Sequence, residues 1–151
     1  MENLVIRPYH PDYEKEFVDL WFECDLLTPQ NNPRRDIERK LGVNPDWFLM
    51  GIIGGKVVAT CMAGYEGHRG WINYLAVSPQ YRRQGIASFM MNQAESRLRA
   101  AGCPKINLQI RETNTEVMHF YESIGYAKDL VMSMGKRLEH DEPYKNNGAS
   151  W

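Results

Sequence analysis

Between Tyr13 and Cys24 the apolar residues Tyr13, Phe17, Leu20, Trp21 and Cys24 recur at helical spacing. That period predicts a helix with one buried face, and Asp12 stands where its cap belongs. Before it, "NLVIRP" (3–8) reads as a short strand stopped by Pro8. "NNPRRDIERKLG" (31–42) predicts a second helix, with Asn32 as cap, Pro33 in the first turn and Gly42 past the end. Two apolar runs, "DWFLMGII" and "KVVATCMAGY", flank Gly54-Gly55, a pair suited to a tight hairpin. "WINYLAV" (71–77) supplies a further strand after the turn-rich "EGHRG".

A longer helix follows, in which Ile86, Met90, Ala94 and Leu98 repeat every four residues before Gly102 and Pro104 end it. "KINLQI" (105–110) alternates as a strand does. Thr113 and Glu116 fit a capping box for a last helix that buries Val117, Phe120, Tyr121 and Ile124 and closes at Gly125. A final strand is expected within 126–138. The order βααβββαβαβ implies an α/β protein, a mixed sheet covered by helices. Residues 1–138 read as a single domain, and the polar stretch 139–151 reads as a loosely ordered tail.

Charge and cysteine content narrow the function. Lys plus Arg (18) nearly balances Asp plus Glu (19), for a net charge of -1. A nucleic-acid binder would show a basic excess, so no nucleic-acid partner is expected. Cys24, Cys61 and Cys103 are an odd number without metal-binding spacing, and the four histidines show none either. Neither a disulfide framework nor a metal site is expected, and reduced thiols suit the cytoplasm. No leader peptide or membrane span is legible in the sequence.

The chemistry concentrates where "WINYLAV" meets the long helix, at "SPQYRRQGIAS" (78–88). A strand that turns directly into a helix presents that helix's first free N–H groups and its positive dipole end, an anion site. Gly85 lets an anion approach the backbone, and Arg82 and Arg83 can add charge-assisted hydrogen bonds. The bland alternative is a solvated turn with two surface arginines. The glycine patterns of ATP and dinucleotide loops are absent.

"YRRQGIA" (81–87) instead resembles the Arg/Gln-x-x-Gly-x-Gly/Ala signature of the GNAT superfamily, the GCN5-related N-acetyltransferases. "INYLAVSPQ" is similar to that family's fourth strand. "INLQIRETNTEVMHFYESIGY" is similar to its second conserved block, through Asn114, Tyr121, Gly125 and Tyr126. Segments such as "DIERK" and "GYEGHRG" further resemble a bacterial subgroup, the YpeA-type acetyltransferases.

The resemblance implies an acyl-CoA N-acyltransferase fold whose central strands splay apart around acetyl-CoA. Leu75, Ala76 and Val77 would hold the pantetheine arm through their backbone. The signature turn, Arg82, Arg83, Gln84, Gly85, Ile86, Ala87 and Ser88, would hold the pyrophosphate. Asn114 would bond the pantetheine or nucleotide portion. The implied reaction is direct attack of a primary amine on the thioester within a ternary complex. A backbone N–H near Leu75 would stabilise the oxyanion, and Tyr121 would protonate the departing thiolate. Glu66 is a candidate base, with His68, Tyr74, Glu112 or water as competitors. Residues 26–40 would border an amine acceptor that the sequence does not name. A homodimer is also consistent with the resemblance. The alternative function is a non-catalytic acyl-CoA-binding or sensing protein of the same fold.

Overall fold

The computed structural model describes residues 3–144. Strand β1 (Val5–Pro8) leads through a 3-10 turn into helix α1 (Glu14–Glu23), and α2 (Pro33–Leu41) follows. Strands β2 (Phe48–Ile53), β3 (Lys56–Tyr65) and β4 (Gly70–Val77) form an antiparallel meander. Helix α3 (Ile86–Ala100), strand β5 (Ile106–Leu108) and helix α4 (Thr115–Ser123) complete the regular elements. One sheet results, ordered β1-β2-β3-β4-β5, with only the β4–β5 pair parallel. Among the described residues, no helix is long and apolar enough to cross a membrane.

Most local signals act as their chemistry requires. Asn32 caps α2 by accepting the Arg34 N–H at 3.0 Å. Gly54 and Gly55 turn the β2–β3 hairpin at φ +58° and +76°, angles that exclude most side chains. Two expected caps are corrected. Asp12 lies inside the 3-10 turn, where His10 accepts its N–H, so it does not cap α1. The cap of α4 is Asn114, whose side-chain oxygen takes the Val117 N–H, rather than Thr113.

The expected last strand is also absent from the described residues. Residues 127–138 form no strand, because their backbone groups find no partner in the sheet. Of the polar C-terminal stretch, residues 139–144 lie against α2, where Arg39 meets Asp141 at 2.6 Å and Glu139 at 3.0 Å. Residues 145–151 lie outside the described residues.

The sheet separates two apolar layers. On one face Phe17, Trp21, Ile37 and Phe48 pack beneath α1 and α2; on the other, Ile86, Met90, Leu98 and Tyr121 pack beneath α3 and α4. Gly70 joins β4 to β5. A side chain there would stand 2.8 Å from Cys103 Sγ, and its N–H donates to the Lys105 carbonyl at 2.8 Å. Only Gly70, Trp71 and Ile72 pair with β5, so the two strands separate beyond Ile72.

Helix α2 is tied to the sheet by Lys40, a buried lysine whose ammonium donates to the Ala63 carbonyl. Burial penalises the charged form and lowers its pKa from 10.5 to about 8. Between those values the unfolded chain binds more protons than the folded one, so this group makes stability rise with pH. Lys40→Met keeps the packed stem and removes the titration. Denaturant midpoints measured from pH 8 to 10.5 should therefore climb less in Lys40→Met than in the unmodified chain; equal slopes would contradict this assignment.

Candidate active site

The separation of β4 from β5 leaves the last part of β4, from Asn73 to Val77, open along one edge. An unpaired strand edge carries backbone donors and acceptors ready for an added chain. Leu75, Ala76 and Val77 all lie in this stretch, half-buried or buried.

A bulge breaks β4 within it. Thr60 pairs with Ala76 and Met62 with Asn73, so Cys61 alone faces both Tyr74 and Leu75. Tyr74 takes the extra residue's strain at φ +51°. A left-handed tyrosine costs about 1–3 kcal/mol and persists only when its surroundings enforce it.

Three contacts enforce it. Thr60 Oγ1 donates to the Tyr74 carbonyl at 2.8 Å and accepts from Trp21 Nε1 at 2.9 Å. The Tyr74 ring stacks on Trp21 with centroids 3.8 Å apart. Its hydroxyl donates to Asp36 Oδ2 at 2.7 Å, reaching α2. Each hydrogen bond contributes about 0.5–1.5 kcal/mol and the ring pair a similar amount, enough together to balance the strain. Sequence reasoning missed this clamp, because Trp21 reads as one apolar position of its helix and nothing in the run KVVATCMAGY singles out Thr60.

Beyond Val77 the chain passes a 3-10 turn and reaches Arg82 to Gly85, all exposed. Arg83 is left-handed at φ +62° and Gly85 at φ +79°. Successive N–H groups in such a turn converge on a concavity that suits an anion. A Cβ on Gly85 would meet nothing within 4 Å, so the space above its backbone is open. No side chain caps α3, in contrast to α2 and α4, which leaves the N–H groups of Ile86, Ala87 and Ser88 available. Arg82 folds back toward β4, its Nε donating to the Val77 carbonyl at 3.3 Å. Gln84 and Arg83 have no side-chain hydrogen bond among the described residues.

Helix α4 starts beside the same opening, since β4 and β5 run parallel and each is followed by a helix at its C-terminal end. Asn114 is exposed at that start, and its amide nitrogen is left over from capping. Tyr121 is 7% exposed, packed edge-on against Phe120 and Tyr126. Burial raises its phenol pKa above the ordinary value, with the nearby Cys61 thiol adding to the shift. The hydroxyl is thus protonated at neutral pH. It has no hydrogen-bond partner among the described residues, yet it is not sealed from solvent.

Glu66 is not brought to this opening. It sits in the β3–β4 hairpin, where its carboxylate accepts the His68 N–H at 2.6 Å and the Arg69 N–H. Those bonds lower its pKa, making it a weaker base. From Gly70, beside that hairpin, to Leu75 is about 17 Å at a strand's rise of ~3.3 Å per residue. His68 shares the hairpin, and the Tyr74 hydroxyl is committed to Asp36. A recess of about 410 Å³ lies elsewhere, lined by Asn32, Arg35, Glu139, His140, Asp141 and Glu142 at the start of α2. Among the described residues no group of histidine, cysteine or acidic side chains could hold a metal ion.

A split parallel strand pair, a bulge at the split and an uncapped helix beyond it leave open backbone groups that suit an extended, anionic ligand, and comparison with known proteins shows the family. The Acetyltransferase (GNAT) family model matches residues 2–126, so the chain belongs to the GNAT acetyltransferases, a family that uses acetyl-CoA. It is 48% identical over 145 residues to an acetyltransferase of Sodalis glossinidius (strain morsitans), covering 95% of this chain and 100% of that one. Among solved structures, an acetyltransferase from Streptococcus agalactiae superposes with a TM-score of 0.75 at 18% identity, covering 93% of this chain and 95% of that one. AAC(6')-Iy, solved with the bisubstrate analog CoA-S-monomethyl-acetylneamine, gives 0.73 at 15% identity, covering 90% and 99%. At those identities the two structures share the fold.

The clamp can be tested apart from activity. Thr60→Val strands the Trp21 N–H and the Tyr74 carbonyl and should cost about 1–3 kcal/mol in denaturant unfolding. Thr60→Ser should stay close to the unmodified chain. Equal stability of Thr60→Val would contradict the clamp.

Proposed function

We propose that this chain transfers an acetyl group from acetyl-CoA to a primary amine by direct attack within a ternary complex. The observation that carries the reading is the presence of two open backbone stretches on one side of the sheet, the unpaired β4 edge at its bulge and the turn into the uncapped start of α3. In it, Leu75 to Val77 bind the pantetheine arm as an added strand. The N–H groups of the turn from Arg82 to Ser88 hold the pyrophosphate, with Arg83 contributing charge. Gly85 keeps the approach clear. The spare amide nitrogen of Asn114 donates to the arm or nucleotide from the other side. The complex of AAC(6')-Iy with a CoA-containing bisubstrate analog supports a CoA donor on this fold.

The reacting amine must lose a proton. A lysine-like amine has a pKa near ~10.4, so about one molecule in a few thousand is neutral at pH 7. Its lone pair attacks the thioester carbonyl, and the N–H of Leu75, which the bulge leaves without a partner residue on β3, stabilises the oxyanion. As the C–S bond breaks, the Tyr121 hydroxyl gives its proton to the sulfur and regains one from solvent. The amine's proton leaves through water. We assign no proton transfer to Glu66, whose carboxylate is committed to its own turn.

Helix α2 and residues 139–142 border the acceptor side in this reading, which carries mixed charge and selects no single amine. The unpaired thiols Cys24, Cys61 and Cys103 suit a cytoplasmic setting.

Tyr121→Phe should lower turnover by about 10²-fold or more while calorimetric affinity for acetyl-CoA changes less than about threefold. Unchanged turnover would remove the proton-donor role. Gly85→Val should weaken acetyl-CoA binding by about tenfold or more, and Glu66→Gln should leave turnover near that of the unmodified chain. Binding without thiol release across a broad amine panel would favour a non-catalytic acyl-CoA sensor instead.

A further inference from the structure

Asp36, which holds the Tyr74 ring from α2, is itself held. Its Oδ2 accepts the Tyr74 hydroxyl at 2.7 Å, and its Oδ1 accepts from Arg39 Nη1 at 3.4 Å, about one turn further along the helix. The last torsion of an aspartate is broad, and this side chain is 26% exposed, so one orientation persists only with a partner on each oxygen. Arg39 is the second partner, yet its own side chain is long and 41% exposed. An exposed helical ion pair of that length stabilises little by itself.

The C-terminal stretch supplies the missing hold. Asp141 takes both terminal nitrogens of Arg39 at once, Nη2 at 2.6 Å and Nη1 at 3.0 Å, and Glu139 accepts from Nη2 at 3.0 Å. A two-pronged bond fixes the plane of a guanidinium as well as its position. Asp141 is well seated, its side chain 6% exposed and accepting the Asn32 N–H at 3.4 Å. Asn32 Nδ2 donates to the Glu142 carbonyl at 3.1 Å, which fastens the same stretch at the start of α2. Nη1 of Arg39 is thereby shared between Asp141 and Asp36.

We propose that Arg39 and Asp141 are positioning residues for acetyl transfer, acting through Asp36 and Tyr74 on the Leu75 N–H. The inference rests on the acetyl-transfer reading, in which that N–H faces the oxyanion. Tyr74 carries the positive φ of the β4 bulge, and Leu75 follows it directly. The planar peptide between them bears both the Tyr74 carbonyl, held by Thr60 Oγ1, and the Leu75 N–H. Thr60 steadies that plane from inside the sheet, and Asp36 steadies the attached ring from α2. A donor aimed at developing charge loses much of its effect when slightly displaced, so a contact 102 residues away in the chain reaches the reacting atoms.

The test uses the full chain, acetyl-CoA and the best amine of the panel. Asp141→Ala should lower kcat at saturating amine about tenfold, while calorimetric affinity for acetyl-CoA changes less than about twofold. Arg39→Lys keeps the charge, loses the two-pronged bond and should lower kcat to a similar degree. In a Tyr74→Phe background, which cuts the path at the hydroxyl, Asp141→Ala should lower kcat by less than about twofold more. Asp141→Ala should also move the Tyr74 and Leu75 amide resonances of the free chain. An unchanged kcat in Asp141→Ala or Arg39→Lys would overturn the proposal, as would a full tenfold further loss on top of Tyr74→Phe. If no amine turns over, the acetyl-transfer reading falls by itself; the two amide resonances then still report the path, and unmoved peaks overturn it too.

Discussion

The loss of pairing between β4 and β5 beyond Ile72 is the constraint from which the site follows. Gly70 fixes the two strands together at one end, where there is no room for a side chain. Beyond Ile72 β4 continues alone along one edge. Its unpaired groups are a cost in any sealed core, and they become useful when a ligand supplies the missing strand. Helices α3 and α4 then start on the same side of the opening, because parallel strands deliver the chain there twice.

The bulge within β4 needs separate support, since a left-handed tyrosine in a strand does not persist unaided. Trp21 from α1, Thr60 from β3 and Asp36 from α2 all converge on Tyr74. The layer beneath α1 and α2 is therefore more than packing. It holds the backbone shape of the opposite, open edge. Lys40 adds a second link from α2 to β3, at the price of burying an ammonium. Movements of α2 would thus reach both Tyr74 and Ala63.

Much of this was legible in the chain. Apolar runs, helical periodicity and capping residues located α1 to α4 and β1 to β5, and a strand running straight into a helix marked Arg82 to Gly85 as a turn with open backbone. The family's second block placed Asn114 and Tyr121 on one helix. What failed were features that depend on distant partners. The β4 bulge leaves no mark on "WINYLAV", because any residue can follow the alternation while the register slips across the sheet. Glu66 looked available because a sequence does not show that its carboxylate folds onto two N–H groups of its own turn. Residues 127–138 carry a short apolar run that suits a strand, but a strand exists only where another lies beside it.

In the proposed reading, acyl-CoA is held by the backbone of β4 and of the turn before α3. Amide chemical shifts, followed by heteronuclear NMR while acetyl-CoA is titrated, test it most directly. The account predicts the largest changes at Leu75, Val77 and the run from Arg83 to Ser88, with small ones at Glu66 and His68. Saturable binding that leaves the Gly85 and Leu75 amides unmoved would contradict it, as would no binding at millimolar acetyl-CoA.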